Sequence, residues 1–422
     1  MFHRIQVVSG SQGTGGRTKR RLPLLAFITL LLAMAVLFAG CQKPRTPAEE
    51  LIAAMKKSSD FDTFEIAGSS SLNMEFQSGD PQDQTINQLL SNITLDLLQK
   101  CDKKTLRYQL DLKLLYKGEN CGTLTLYADL EKIILQTPFL GPKQFFFSWE
   151  DSPALTTQYL NGIQIHIADY LPLIFDEGLA TFKQIQEAAY PAYAKFLAER
   201  VTVSPEKTRI TLTEKGEEKT YTCKEYILRY KYDETLQKDY SEFFVAILEN
   251  ETVRGLLKER IASFVEIAKN NGDLATWEWS EEEIMAFSGE LDANLDQLVE
   301  TLVEQYMSLS TSSSAGQIEM DQRISVDNSG LIRASVANQT IQLKEENAGL
   351  NAMVSTSMEM QWLNFGEELT FIELDPAKAF DAGKASEEEW AAIIEEVKIN
   401  FLGQLLINPL FHEIMNLANM GN

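Results

Sequence analysis

Cys41 has the most distinctive chemical setting of any residue in the chain, because it directly follows two small residues, Ala39 and Gly40. The small pair ends a mostly apolar run over residues 22–38. A basic segment precedes that run and contains Arg17, Lys19, Arg20 and Arg21. Basic residues, then apolar residues, then small residues form the order of a secretory signal. The cysteine after the small pair makes the prediction of a processing site here more specific.

The segment 37–41, Leu-Phe-Ala-Gly-Cys, resembles the lipobox of bacterial lipoproteins, with Phe38 at the position where leucine is commonest. The resemblance implies that the Cys41 thiol receives a diacylglyceryl group and that the signal peptide 1–40 is cleaved just before it. The alternative is an uncleaved membrane helix with an incidental cysteine. A spanning helix needs roughly 20 apolar residues, and the run here is shorter and contains Pro23 near its start.

Acyl chains on Cys41 would anchor the protein to a membrane. Each buried methylene contributes about 0.8 kcal/mol, and one chain holds only marginally, so more than one chain on the same residue holds firmly. The lipidated tether 41–47 is short, which predicts that the body, residues 48–422, sits close to the bilayer. We therefore expect a lipid-anchored protein at the extracytoplasmic face of the cell membrane.

The chain is acidic. It has a net charge of −23 over 422 residues, and because residues 1–40 hold five basic and no acidic residues, the remaining 382 carry −28. Such a charge repels nucleic acid, and we expect no nucleic-acid partner. The mature length exceeds the roughly 250–300 residues at which one core usually stops growing. Two lobes or one large curved sheet would satisfy that length, and the Ser/Thr-rich segment 308–316 is the best candidate for a lobe boundary.

Three cysteines remain besides Cys41, namely Cys101, Cys121 and Cys223. The predicted strand between Cys101 and Cys121 separates them by roughly 35 Å, whereas a disulfide needs α-carbons within about 7 Å. That spacing excludes a bridge between the two. A metal site is not expected either, because the chain has no paired Cys-x-x-Cys.

The sequence offers little for catalysis. His166 and His412 are far apart, and neither has a second ligand four residues on. There is no Gly-x-Ser-x-Gly elbow, and the glycine-rich stretch 10–16 belongs to the signal. The acidic runs 281–283 and 387–389 lie in predicted first helical turns, where carboxylates stabilise the helix dipole. We therefore expect a protein that is not an enzyme and has no cofactor.

Alternating apolar and polar residues predict long antiparallel strands joined by short polar turns. The predicted strands cover residues 64–76, 93–97, 106–114, 124–130, 201–213, 219–232, 318–326, 331–343, 352–362 and 369–374. The parallel alternative would require crossover helices, which are missing between the strands of each meander. These features predict an α+β protein built on antiparallel sheet.

Helices are predicted before, between and after the strands. Thr46 and Glu49 form a capping box for the first helix, and Ser386 and Glu389 form another for the last. The last helix is expected to carry apolar residues on one face and to break at Asn408-Pro409. The face comprises Trp390, Ile394, Val397, Phe401 and Leu405. Further helices are predicted over 153–200, with interruptions at Gly162, Pro172 and Pro191, over 253–271, and from Ser280 onward.

With these elements in place, the chain resembles the uncharacterised lipoproteins of monoderm bacteria, whose fold is similar to that of periplasmic lipoprotein carriers. The resemblance rests on the lipobox-like amino terminus, the capped helix, the long alternating strands and the helices between sheets. It implies a strongly curved half-barrel covered by helices, with room between them for acyl chains.

Three functions follow as hypotheses. The first is non-catalytic binding of a hydrophobic or amphipathic ligand between sheet and helices, and the second is a structural or regulatory protein-interaction module with a solid core. The third, an importer substrate-binding lipoprotein, requires lobes with parallel strands, which the pattern disfavours. Two apolar groups could form a ligand cavity or ordinary core. They are Met358, Met360 and Trp362 on one strand face, and Phe145, Phe146, Phe147 and Trp149.

Overall fold

The computed structural model of the protein describes residues 46–76, 81–159, 164–274, 315–345 and 350–420, together with individual residues between 280 and 301. The predicted signal peptide, Gly40 and Cys41 lie outside the described residues. So does most of the predicted boundary 308–316, of which Ala315 and Gly316 begin a strand. Among the described helices, none is both long enough and apolar enough to cross a bilayer.

Twelve strands form one curved, unclosed sheet in the order β12-β6-β5-β4-β3-β2-β1-β11-β10-β9-β8-β7. The strands are β1 (Thr63–Phe76), β2 (Ile93–Asp102), β3 (Arg107–Tyr116), β4 (Glu119–Ala128), β5 (Lys132–Gln136), β6 (Gln144–Ser148), β7 (Val201–Glu214), β8 (Glu217–Lys231), β9 (Ala315–Asp327), β10 (Ile332–Glu345), β11 (Leu350–Leu363) and β12 (Ala379–Asp381). Neighbouring strands are antiparallel, except that β12 pairs parallel with β6. The predicted α+β class is confirmed, as is the half-barrel covered by helices.

The helices are α1 (Pro47–Ser59), α2 (Pro81–Ser91), α3 (Ser152–Tyr159), α4 (Ile167–Leu171), α5 (Glu177–Ala198), α6 (Glu234–Leu248), α7 (Glu251–Asn271), α8 (Glu387–Ile407) and α9 (Pro409–Met420). Both predicted capping boxes are present, one at Thr46 and one at Ser386. Helix α7 ends at Gly272, whose left-handed backbone satisfies the last carbonyls of the helix. The helix ends that were predicted from capping residues are therefore confirmed.

Two sequence predictions about backbone structure are wrong. Pro191 lies inside α5 and does not interrupt it, because the neighbouring Ala189, Phe196 and Leu197 are buried in the core and their packing outweighs the cost of one missing hydrogen bond. Residues 369–374 are not a strand. The Gln109 side chain accepts a hydrogen bond from the backbone N–H of Ile372 at 2.8 Å, so a side chain takes the place of a partner strand.

The main core lies between strands β7–β10 and a helical layer made of α1, α5, α6 and α7. Its fully buried aliphatic side chains include Leu51, Ile185, Leu197, Leu228, Ile247, Val253, Leu257 and Ile261. The helices bring residues from both halves of the chain together, since α1 contacts both β7 and β10. This arrangement covers only one half of the sheet.

A buried ionic cluster fastens the tip of the β7–β8 hairpin to the β9–β10 turn. The Arg333 guanidinium lies 3.1 Å from a Glu214 oxygen and 2.8 Å from an Asp327 oxygen, and all three side chains are buried. The guanidinium carbon also lies 3.9 Å from the centroid of the Tyr221 ring. The guanidinium is thus paired with two carboxylates and stacked on an aromatic ring. These contacts compensate for the hydration that the charged groups lose on burial.

The cluster makes an acid-sensitive contribution to stability. Burial alone would raise the pKa of Asp327, but hydrogen bonds from Ser329, Leu331 and Arg333 outweigh it and hold that pKa below its ordinary value. A carboxylate whose pKa is lowered by folding stabilises the native state above its unfolded pKa, about 3.9, and that contribution is lost as the pH falls through the lower folded value.

We expect Asp327→Asn to lower the free energy of unfolding at pH 7 and the difference from the natural protein to shrink below about pH 3.9. Urea unfolding at pH 7, 5 and 3 measures this difference. Asp60→Asn, at an exposed position, is the matched control and should change stability little. A difference between the natural protein and Asp327→Asn that stays constant across this range would contradict the assignment.

Candidate functional site

One face of the sheet is apolar along a continuous row of paired residues. Directly opposed residues of antiparallel strands project to the same face of a sheet. One such row runs through Tyr226, Ile324, Ser335, Met360, Gly68, Leu97, Leu112 and Leu124. It crosses eight strands, from β8 to β4, without a charged residue. The apolar face therefore extends well beyond the part that the main core covers.

The two halves of this face differ in their exposure. Tyr226 and Ile324, under the helices of the main core, are buried. On β2 and β11, in contrast, Leu95 keeps 38% and Met358 keeps 37% of its surface exposed, and Leu97 is only half-buried. The apolar face over β11 and β1–β4 is therefore open. We call this part the trough; it comprises Leu95, Leu97, Leu112, Leu124, Met358 and Met360.

Helices stand at both ends of the trough. A second row on the same face runs through Trp362, Ile66, Gln99, Leu110, Leu126, Leu135 and Phe145. At one end, Trp362 packs against the main core. At the other, the Phe145 ring lies 6.4 Å from that of Trp390 on α8 and 5.1 Å from that of Phe380 on β12. The trough is thus bounded by the main helical layer and by α8.

The floor of the trough is lowered by small residues. Ser70 lies between Leu95 and Met358 in the strand pairing, and Ala337 follows Met358 on β10. Gly68 occupies the neighbouring row, where a β-carbon would lie 3.2 Å from a Leu97 side-chain carbon. Small side chains beside large apolar ones leave space above the sheet that an apolar group could fill.

The predicted aromatic and methionine groups divide between the two faces. Met358, Met360 and Trp362 share one face, as predicted, with Trp362 in the core and Met358 in the open trough. Phe145 also lies on this face, whereas Phe146 packs on the opposite face with the cluster around Ile134. Only part of each group can therefore contact a ligand.

His166 and His412 have structural partners. His166 Nδ1 lies 2.8 Å from an oxygen of the buried Asp273, which also accepts a hydrogen bond from the Tyr170 hydroxyl at 2.7 Å. This cluster ties α4 to the end of α7. His412 Nε2 lies 2.6 Å from the backbone oxygen of Leu406. Within the described ranges, no group of three or more His, Cys, Asp or Glu residues could hold a metal ion.

Acidic residues of both runs form capping hydrogen bonds at the first turn of a helix. Glu389 accepts hydrogen bonds from the backbone N–H and hydroxyl of Ser386, which lower the pKa of Glu389. Glu283 accepts the equivalent bonds from Ser280. These carboxylates thus cap helices, as the sequence indicated.

Cys101, Cys121 and Cys223 are buried free thiols. Burial raises the pKa of Cys101 to about 12 and that of Cys223 to about 11. A thiol with a raised pKa is rarely a thiolate and is therefore a poor nucleophile.

Sequence reasoning missed the open state of the trough and the exposure of α8. On the predicted apolar face of α8, Ile394 and Phe401 are nearly half exposed. On the outward side, Ile399 and Leu406 keep 71% and 68% of their surface exposed. The helix is apolar nearly all round in its second half, so its periodicity carries little information about which side is buried.

No protein-family model matches the chain, and no curated protein matches it at a significant level.

Proposed function

We propose that the protein is a membrane-anchored, extracytoplasmic lipoprotein that binds a hydrophobic or amphipathic ligand in the trough, without catalysis. The observation that carries the proposal is the exposure of Leu95 and Met358 in the middle of an otherwise apolar sheet face. Large contiguous apolar patches that stay exposed on a protein surface usually mark binding sites. The lipobox-like sequence around Cys41 supports a location next to the lipids that could supply such a ligand.

The dimensions of the trough suit an acyl chain. It spans five neighbouring strands, β11 and β1–β4, and four inter-strand steps of about 4.8 Å give roughly 19 Å. One leaflet of a bilayer core is about 15 Å thick. Leucine and methionine side chains adapt to flexible hydrocarbon, and methionine in particular accommodates irregular shapes. The ligand class that we propose is therefore a lipid or another molecule with a chain of this length.

A structural or regulatory interaction module is the second candidate. The outward stripe Ile399, Leu402 and Leu406 on α8 favours it, since a helix seldom exposes three such residues in adjacent turns. An importer substrate-binding protein is not supported, because that class requires parallel strands and the sheet is antiparallel apart from the β6–β12 pair.

We expect Leu95→Asp to reduce the non-covalent lipid that co-purifies with the full-length chain by at least about five-fold, because a carboxylate placed against hydrocarbon must lose its water. Solvent extraction followed by mass spectrometry measures the ratio of non-covalent lipid to protein. Lipid attached to Cys41 stays with the polypeptide and is counted separately.

Thr94→Asp is the matched control. Thr94 is adjacent in sequence but points to the opposite, polar face of β2, so its replacement should leave the lipid ratio unchanged. The proposal fails if the natural protein carries no lipid and takes up none from vesicles. It also fails if the two aspartate variants retain lipid equally.

A further inference from the structure

A second cavity lies away from the trough. It has a volume of about 480 Å³ and opens between the β4–β5 part of the sheet, the loop that follows β5, and helix α8. Its polar lining comprises Thr123, Thr125, Gln136, Thr137, Asn400 and Gln404. The threonines of β4 alternate with Leu124 of the trough and with Leu126 on the same face, so they project to the opposite face of the sheet. A ligand in this polar cleft would not compete with one in the trough.

The cleft is lined by neutral groups with unused hydrogen-bonding capacity. Within the described part of the chain, the side chains of Thr123, Thr137, Asn400 and Gln404 form no hydrogen bond with other protein groups. Hydroxyls and carboxamides both donate and accept. They therefore match a ligand that also offers closely spaced donors and acceptors, and they offer no charge for an ionic ligand.

The cleft is preformed. Gly141 has φ of 78°, a left-handed conformation that favours glycine, and a β-carbon there would lie 2.3 Å from the Asn400 amide nitrogen, so a larger residue would displace the Asn400 side chain. Pro138 and Pro142 flank this glycine and also line the cavity. Proline and packed glycine restrict the loop, so little conformational entropy is lost when a ligand binds.

An alternative ligand is a peptide that pairs as an extra strand with the neighbouring edge of β4, and the structure of that edge disfavours it. β5 pairs with β4 only from Thr125 onward, so among the residues that the structure describes the first half of β4 has a single strand partner, β3. The Asn408 side chain, however, donates a hydrogen bond to the Cys121 carbonyl on that stretch. The Asn408 side chain thus takes up a backbone carbonyl that would have to accept a hydrogen bond from an added strand.

We infer that the polar cleft binds a neutral saccharide of one or two rings. A sugar ring presents hydroxyls that donate and accept over a compact surface, which the threonine and carboxamide lining can pair. The volume falls within the roughly 300–1,000 Å³ typical of small-molecule sites. The inference does not depend on a ligand in the trough.

The test uses the full-length chain in lipid nanodiscs and N,N′-diacetylchitobiose as the probe, with binding measured by calorimetry and saturation-transfer NMR. We expect saturable binding that Thr123→Val and Gln404→Met each weaken by about two- to ten-fold, since a net hydrogen bond is worth about 0.5–1.5 kcal/mol. The double variant should bind about as weakly as the two effects combined.

Thr94→Val is the matched control, because it removes a hydroxyl from the same face of the sheet outside the cleft, and its binding should equal that of the natural protein. Leu95→Asp should also leave saccharide binding unchanged, which separates this inference from the proposed function. Absence of binding, equal binding by the cleft variants and Thr94→Val, or preferential binding of a blocked alanine tripeptide would each overturn it. Circular dichroism of every variant checks that it is folded.

Discussion

Arg333→Ala is expected to lower the free energy of unfolding by about 3–5 kcal/mol, because it leaves the buried Asp327 without its cation and the buried Glu214 with only the half-exposed Lys219. Glu214 and Asp327 both contact this guanidinium and are themselves buried. The loss is large relative to a typical total stability of about 5–15 kcal/mol. Urea unfolding at pH 7 measures it.

Arg229→Ala is the matched control for this experiment. Arg229 also pairs with an aspartate, Asp321, at 2.9 Å, but 71% of the Arg229 side chain is exposed. An exposed ion pair contributes about 0–1 kcal/mol, so the control should remain close to the natural protein. Equal, small effects of the two substitutions would show that the buried cluster is not a major source of stability.

Cys41→Ala is expected to abolish metabolic labelling with a lipid precursor and to prevent retention by lipid at the membrane. The variant should either appear in the medium or accumulate with residues 1–40 uncleaved. The effect should be complete, because the other three cysteines are buried in the folded protein and the thiols of Cys101 and Cys223 have raised pKa values. Gel fluorescence after labelling with an alkyne fatty acid measures it, together with cell fractionation.

Cys121→Ala is the control for thiol chemistry as such and should retain full labelling. Unchanged labelling of Cys41→Ala would overturn the lipoprotein assignment and favour the alternative of an uncleaved membrane helix. Membrane retention without label would match the uncleaved form, in which the apolar run over residues 22–38 stays attached to the chain.

Much of the sheet could be predicted because its signals are local. In β1, alternate residues such as Ile66 and Leu72 point to one face, and a period of two appears directly in the sequence. The turn after β9 could be recognised from Asp327 to Gly330, since Asp and Gly have specific turn geometries. Thr46 and Glu49 identified a helix start for the same reason, as both hydrogen bonds span three residues.

The errors arose where a residue's state depends on distant partners. Residues 369–374 have the composition of a strand, but a strand forms only where another strand edge is free. Here, the amide side chains of Gln109 and Gln144 accept hydrogen bonds from the N–H groups of Ile372 and Asp375. The short strands β5 and β6 carry too few residues for their alternation to be distinctive, and they were missed.

The sequence by itself predicts a lipidation site at Cys41 and determines the acidic net charge of the body and the apolar–polar alternation of most strands. The first and the last depend only on residues close together in the sequence, and the charge depends only on composition. Tertiary structure alone decided that Leu95 and Met358 stay uncovered while Tyr226 and Ile324 are buried on the same face. Periodicity shows that a sheet face is apolar, whereas its coverage depends on where helices from distant parts of the chain pack. The polar cleft has the same origin, since Thr123 and Asn400 meet only in the folded protein.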